Sequence, residues 1–99
     1  MKLLNVNELL AGEQLLADTG LSRALSLVLE PGQEHRFSSG TDRDRWLLVL
    51  SGEGLLTGPD GDEKAALGPA GLGLVTAGEP CVLRAREGDE PLVMLCFEA

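Results

Sequence analysis

Glycine and proline divide this 99-residue chain at short, nearly even intervals, and that punctuation limits the fold more than any other feature. The breaks fall at Gly12, Gly20, Pro31-Gly32, Gly40, Gly52, residues 59–61, residues 68–73, Gly78 and Gly88. The runs between them are rich in Leu and Val and too short for helices of ordinary length. Short apolar runs with frequent turn signals predict an all-β sandwich or barrel rather than strands alternating with helices. Residues 14–18 and 21–30 read as a hairpin about Thr19-Gly20. Further strands are predicted over 34–38, 45–51, 54–57, 63–67, 72–76, 81–86 and 91–97, about eight to ten in all. Only residues 5–11 offer a helix start, one or two turns long, with Asn5 or Asn7 as the cap and Glu8 in the first turn.

Gly88-Asp89 reads as a two-residue hairpin loop. If so, Glu87 faces Glu90 and the register brings Cys81 opposite Cys96, on one face of the sheet. A bulge at residues 86–88 would separate them instead. No disulfide is expected in a reducing compartment, where both cysteines serve as small buried hydrophobes.

Composition removes several functions. A chain of this length makes one domain, residues 1–99, divided into an N-terminal covering segment with the first hairpin (1–25) and a barrel (26–97). Hydrophobic residues are 43% of it, against disorder. Aromatic residues are only 3%, so stacking platforms for single-stranded nucleic acid are not expected. The net charge is −8, with two lysines and six arginines, which disfavours phosphate backbones and anionic membranes. The apolar start at Met1 is interrupted by Asn5, Asn7 and Glu8, and no run is long enough to span a bilayer. The expectation is a soluble cytoplasmic protein with no nucleic-acid or membrane partner.

The glycine framework resembles that of the cupins. That family's first motif has the form G-x5-H-x-H-x3,4-E-x6-G, and its second G-x5-P-x-G-x2-H-x3-N. Pro31-Gly32 matches the opening of the first, and Gly52, within Ser51-Gly52-Glu53-Gly54, its close. Counting from these ends puts Ser38 and Gly40 at the histidine positions and Arg45 at the glutamate. In the second motif Gly71 and Gly78 fit with one residue fewer between them; Thr76 stands for proline, Cys81 for histidine and Ala85 for asparagine. The resemblance covers about residues 26–97. It implies a single-domain antiparallel jelly-roll β-barrel, a double-stranded β-helix, here with a short N-terminal helical turn. In the family the matching histidines and glutamate hold a divalent metal inside the barrel.

This chain replaces those ligands. Its one histidine, His35, lies three positions before the first ligand slot and at opposite parity, so strand alternation predicts that it faces away from the interior. Serine and glycine supply no strong donor, and an arginine at the carboxylate slot repels a cation. Cys81 is the one slot with metal-capable chemistry, joined at most by His35 or Asp44. No metal and no cofactor are expected. A guanidinium at position 45 suits a carboxylate or phosphate group bordering Ser38, Ser39 and Cys81; the alternative is a structural pair with Asp42 or Asp44. No base is placed for a serine or cysteine nucleophile, so no catalytic residue is assigned. Acidic residues are nearly absent from the predicted strand interiors, and Leu47, Val49, Leu74, Leu83 and Val93 predict a packed, greasy interior.

Residues 46–50 and 92–95 are apolar on both strand faces, so both faces need cover. Residues 3–16 can cover one sheet and a second copy of the chain the other, which predicts a homodimer. The reading that follows is a metal-free binding or interaction module, holding a small apolar or acidic molecule near Ser38, Gly40, Arg45, Val49, Cys81 and Leu83. The alternative is a metal-dependent cupin enzyme, of dioxygenase or isomerase type, with an atypical site.

Overall fold

A computed structural model describes residues 11–37, 43–58 and 63–99. Among them are nine strands and no helix. The strands are β1 (Gly12–Asp18), β2 (Arg23–Leu29), β3 (Glu34–Phe37), β4 (Arg45–Ser51), β5 (Gly54–Thr57), β6 (Glu63–Leu67), β7 (Leu72–Val75), β8 (Cys81–Ala85) and β9 (Leu92–Glu98). Each coincides with a predicted strand to within a few residues. The predicted helical turn falls on residues 1–10, outside those described.

Two antiparallel sheets face each other. One has the order β1-β2-β9-β4-β7 and the other β3-β8-β5-β6. The chain passes repeatedly from one sheet to the other, as in a jelly roll. The core fills the space between them: Leu47, Leu83, Leu92 and Met94 are wholly buried, and Val49 and Leu29 nearly so. Alternation along each strand explains this choice. In β4 the odd positions Arg45, Leu47 and Val49 are buried while Trp46 is exposed and Leu48 and Leu50 are half-buried.

That alternation corrects two expectations. Leu74 is exposed and Val93 half-buried, because both lie on the outer side of the five-stranded sheet rather than in the interior. The five-residue apolar run of β4 likewise has one face buried in the core, while Trp46 remains 42% exposed.

The Gly88-Asp89 hairpin is also corrected. β8 pairs with β3 and β5, whereas β9 pairs with β2 and β4. Residues 86–91 therefore carry the chain from one sheet to the other. Leu83 and Ala85 then oppose Leu92 and Met94 across the core. A hairpin would have set them side by side on one sheet. Cys81 accordingly lies opposite Phe37, and Cys96 between Leu25 and Leu47. Both cysteines are buried thiols outside any disulfide, and they share no ladder.

The corner between β4 and β5 depends on glycine. Gly52 has φ +78°, and a Cβ there would lie 2.3 Å from the Pro91 carbonyl oxygen and 2.9 Å from Leu92 Cα. Only glycine tolerates both that backbone angle and that approach.

Candidate functional site

Four charged residues form one row across the end of the five-stranded sheet. Asp18 of β1 is opposite Arg23 of β2, Arg23 is opposite Glu98 of β9, and Glu98 is opposite Arg45 of β4. Directly opposed residues share a face, and this row shares the face of Leu25, Leu47 and Cys96, two positions further in. Charge alternates along it: acid, base, acid, base. Arg45 is 6% exposed and Glu98 8%. Burial at that depth is tolerated because each charge has an opposite neighbour. Glu98 serves both arginines, 3.9 Å from Arg23 Nη1 and 3.9 Å from Arg45 Nε. Arg23 also lies 4.0 Å from Asp18. These separations exceed hydrogen-bond length, so Glu98 balances charge without occupying the guanidinium donors. Arg23 Nε is buried and has no hydrogen-bond partner.

Arg23, Glu98 and Arg45 of this row form one wall of a cavity of about 270 Å³. Leu25, Leu27, Phe37 and Cys96 supply its apolar lining. The Arg45 guanidinium carbon stands 5.4 Å from the centre of the Phe37 ring, within cation–π range. His35 and Glu13 form the opposite side, where β3 of one sheet approaches β1 of the other. His35 Nε2 is 3.3 Å from Glu13 Oε2, and the imidazole meets the Phe37 ring edge-on at 4.9 Å. His35 thus lines the cavity, against the parity expectation. β3 ends at Phe37, and its inward positions are the odd ones, 35 and 37, rather than the even ones counted from Gly32. Burial pushes the Cys96 thiol up to about 12, with the nearby Glu98 carboxylate adding to the effect. That thiol is a neutral part of the wall and unsuited to nucleophilic attack or metal binding.

Solved structures with the same arrangement of sheets place the fold. An RmlC-like cupin protein from Desulfovibrio desulfuricans superposes with a TM-score of 0.84 at 20% identity, over 100% of this chain and 96% of that one. The fold is that of the cupins. The cupin domain of an XRE-family transcriptional regulator from Enterobacter cloacae gives a TM-score of 0.72 at 20% identity, covering 87% of this chain and 92% of that one. A candidate mannose-6-phosphate isomerase from Ralstonia eutropha gives 0.77 at 20% identity, covering 100% and 98%. No family model and no curated protein matches the sequence. Such likeness shows the fold alone, and cupin barrels carry unrelated activities.

The residues present do not fit the metal of the cupin motif. At the glutamate slot a buried Arg45 presents positive charge to the interior. Cys81, at the histidine slot of the second motif, stands opposite Phe37 in the ladder. Among the described residues no three His, Cys, Asp or Glu side chains gather as a metal site. Asp44 is engaged elsewhere, its Oδ1 accepting from the Ala77 amide at 2.8 Å.

Of the six predicted pocket residues, Arg45 lines the cavity. Val49, Cys81 and Leu83 are buried in the core and lie outside the cavity lining. Ser38 and Gly40 lie outside the described residues. Arg45 lies 3.9 Å from Glu98, and Asp42, one of its two expected partners, lies outside the described residues. Sequence reasoning missed Arg23, Glu13, His35 and Glu98. The signal for Glu98 was present: Leu92, Met94 and Cys96 share its parity, and the predicted strand stopped one residue short. Glu13 likewise lies one residue before the first predicted strand. Among the described residues no helix is long and apolar enough to cross a membrane.

Proposed function

We propose that this chain is a metal-independent binding module, which takes a small molecule into the cavity between the charged row and β3. The observation that carries this reading is the make-up of one cavity of about 270 Å³, in which the ion-paired Arg23, Arg45 and Glu98 stand against Leu25, Leu27 and Phe37. Apolar walls with a few convergent polar groups are the usual form of a small-molecule site. No step of catalysis follows from the groups present, because Cys96 stays protonated and each carboxylate faces an arginine or His35. The test is paired. Untagged protein dialysed against iron, manganese, nickel and zinc should hold no stoichiometric metal, while a fragment screen by ligand-observed NMR should give saturable binders. A tightly held transition ion, or no saturable binder, would overturn the reading.

We also infer that a second copy of the chain covers the outer face of β9, β4 and β7. Phe97, Trp46 and Leu74 form one cross-strand row there, and Leu95, Leu48 and Leu72 the next. Trp46, Leu72, Leu74 and Phe97 are 42%, 59%, 44% and 40% exposed. Together they present apolar area on the order of 400 Å². That approaches the apolar share, roughly 57%, of the ~800 Å² each partner gives to a standard interface. The two rows contain no charged residue in a chain of net charge −8, so an oppositely charged partner finds no complement there, whereas an identical face does. Sedimentation equilibrium at micromolar concentration should give the dimer mass, and Trp46→Glu the monomer mass. A monomeric wild type would remove the proposal.

A further inference from the structure

We infer that the free edge of β7 is a self-association site, at which β7 of one copy pairs antiparallel with β7 of another. This contact is separate from the outer-face contact: it is made by main-chain groups, and either can form without the other.

The two sheets end in four edge strands, β1 and β7 in one and β3 and β6 in the other. An open edge presents unpaired N–H and C=O groups, and proteins defend such edges with charge, proline or a bulge. β1 carries Glu13 and Asp18, with a register shift between Leu15 and Ala17. β3 has Glu34 and Arg36 among its four residues. β6 begins Glu63-Lys64, where its register with β5 shifts. β7 is Leu72-Gly73-Leu74-Val75 and has none of these devices. Among the described residues it pairs with β4 alone, and Leu72 and Leu74 are exposed.

The main-chain groups that face outward can be named. Antiparallel ladders alternate between bonded and non-bonded pairs. The register of β7 on β4 continues past Leu48 and Leu72 to Val49 and Gly71, where the Val49 amide donates to the Gly71 carbonyl at 3.0 Å. Counting in twos from that bond, Gly73 and Val75 turn their main-chain groups toward β4. Leu72 and Leu74 turn theirs to the free edge. Their neighbours are engaged: the Ala70 amide donates to the Val49 carbonyl at 2.9 Å, and the Thr76 amide to Glu79 Oε2 at 3.2 Å.

Two such edges are self-complementary about a two-fold axis through Gly73. Leu72 of each copy then stands opposite Leu74 of the other, and both pairs are of the bonded kind. Four N–H···O=C bonds form, using every outward group of both edges. An axis through Leu74 would instead set Leu72 against Thr76, whose amide is already taken. Gly73 meets its counterpart as a non-bonded pair, with Cα atoms about 4.5 Å apart. A Cβ there would stand 3.4 Å from Leu67 Cδ1, so glycine leaves the room this approach needs. Opposed residues share a face, so the leucines of the two copies meet on the outer side. β7 brings no charge to the junction, although each copy carries −8. Two four-residue strands bury well under the ~1,200 Å² of a stable interface, which makes the contact weak, with a Kd on the order of 0.5 mM.

Trp46→Glu, which removes the outer-face contact, isolates the edge. By sedimentation equilibrium its weight-average mass should equal one chain at about 20 µM and rise by at least a third at about 1 mM. Over the same range, hydrogen exchange at the Leu72 and Leu74 amides should slow at least twofold, while the Val75 amide, turned to β4, should not change. On this background Leu74→Pro removes an outward N–H without breaking the β4 ladder and should abolish the rise in mass. Leu74→Ala keeps the N–H and should keep the rise. Circular dichroism would establish that each variant is folded, and the exchange rates of Trp46→Glu decide the question without either. A mass fixed at one chain, or equal association of the Pro and Ala variants, would show that the edge is not the site. If the Leu72 and Leu74 amides already exchange slowly at the lower concentration, another segment occupies the edge and the inference falls. The outer-face contact is judged apart from these, by the wild-type mass at micromolar concentration.

Discussion

The interior of this barrel has two unlike ends. At one, Leu83, Leu92 and Met94 are wholly excluded from solvent, and even a Cβ on Gly54 would come within 2.9 Å of Leu92 Cδ2 and 3.0 Å of Leu83 Cδ1. At the other, the same sheets diverge around about 270 Å³ of cavity walled partly by ion pairs. β9 serves both ends, with Leu92 and Met94 at one and Cys96 and Glu98 at the other, so strand propensity does not separate them. The difference lies in which side chains the register brings level. Leucine opposite leucine closes the space. Arginine opposite glutamate opposite arginine ties three strands of one sheet together by charge while leaving space beside them.

The packed end should be the least tolerant of change, and Gly52→Ala is the strongest way to test it. The new Cβ would meet backbone atoms of Pro91 and Leu92 that cannot swing aside, at a φ of +78°. Left-handed strain and overpacking together should remove about 3 kcal/mol or more. Urea denaturation would measure it; a loss below 1 kcal/mol would mean that the corner is looser than the geometry says.

A matched pair of truncations compares the ends directly. Leu83→Ala empties a site closed on all sides and should cost about 2–5 kcal/mol, in the upper part of that range. Leu25→Ala adds its void to an existing cavity and loses mainly the transfer contribution, placing it near the lower limit, about 2 kcal/mol. Equal costs would show that the cavity end is as tightly packed as the other.

Much of the packed end could be read from the chain alone, and little of the other. Gly52, Leu47, Val49 and Leu83 announce themselves through turn chemistry and period-two burial, which are local. The number and sequence of strands followed from the same signals. The cavity depends on Arg23, Glu98 and Arg45 standing level across three strands that lie far apart in the chain. No local pattern reports that. Counting within a motif put Arg45 on an inward position of β4, because both ends of that strand are fixed, by the run of apolar residues and by Gly52. It misplaced His35, since the inward parity of β3 is set by its pairing with β8, Phe37 against Cys81 and His35 against Leu83. The Gly88-Asp89 pair shows the same limit: a sound hairpin signal gave way to a crossover, because burying Leu92 and Met94 opposite Leu83 outweighs a tight turn.

Glu98→Gln probes what the charged end is for. It leaves two arginines facing a neutral amide and should destabilise the protein by about 1–2 kcal/mol. That is below the ~3–5 kcal/mol for breaking a fully buried pair, because Arg23 is partly exposed and neither separation is a hydrogen bond. Urea denaturation would measure it; a loss below about 0.5 kcal/mol would mean that the row carries little of the stability of this end.

The smallest effect expected is a slope with pH, and it too separates the ends. The Cys96 thiol is raised from its ordinary value of 9.0 to about 12, chiefly by burial and secondarily by Glu98. Below pH 9 the thiol is protonated in the folded and unfolded chains alike and contributes no pH dependence. Between pH 9 and about 12 the unfolded chain releases the proton while the folded chain keeps it. Rising pH therefore favours unfolding, by up to about 1.4 kcal/mol per pH unit. Urea midpoints between pH 8 and 10 should fall more steeply for the wild type than for Cys96→Ala. Cys81, at the mouth of a different ladder and in the core, provides the comparison: Cys81→Ala should retain the Cys96 slope. If Cys96→Ala and the wild type run parallel, the cavity end admits enough water to let the thiolate form, and the apolar wall assigned to the ligand is wetter than its lining implies.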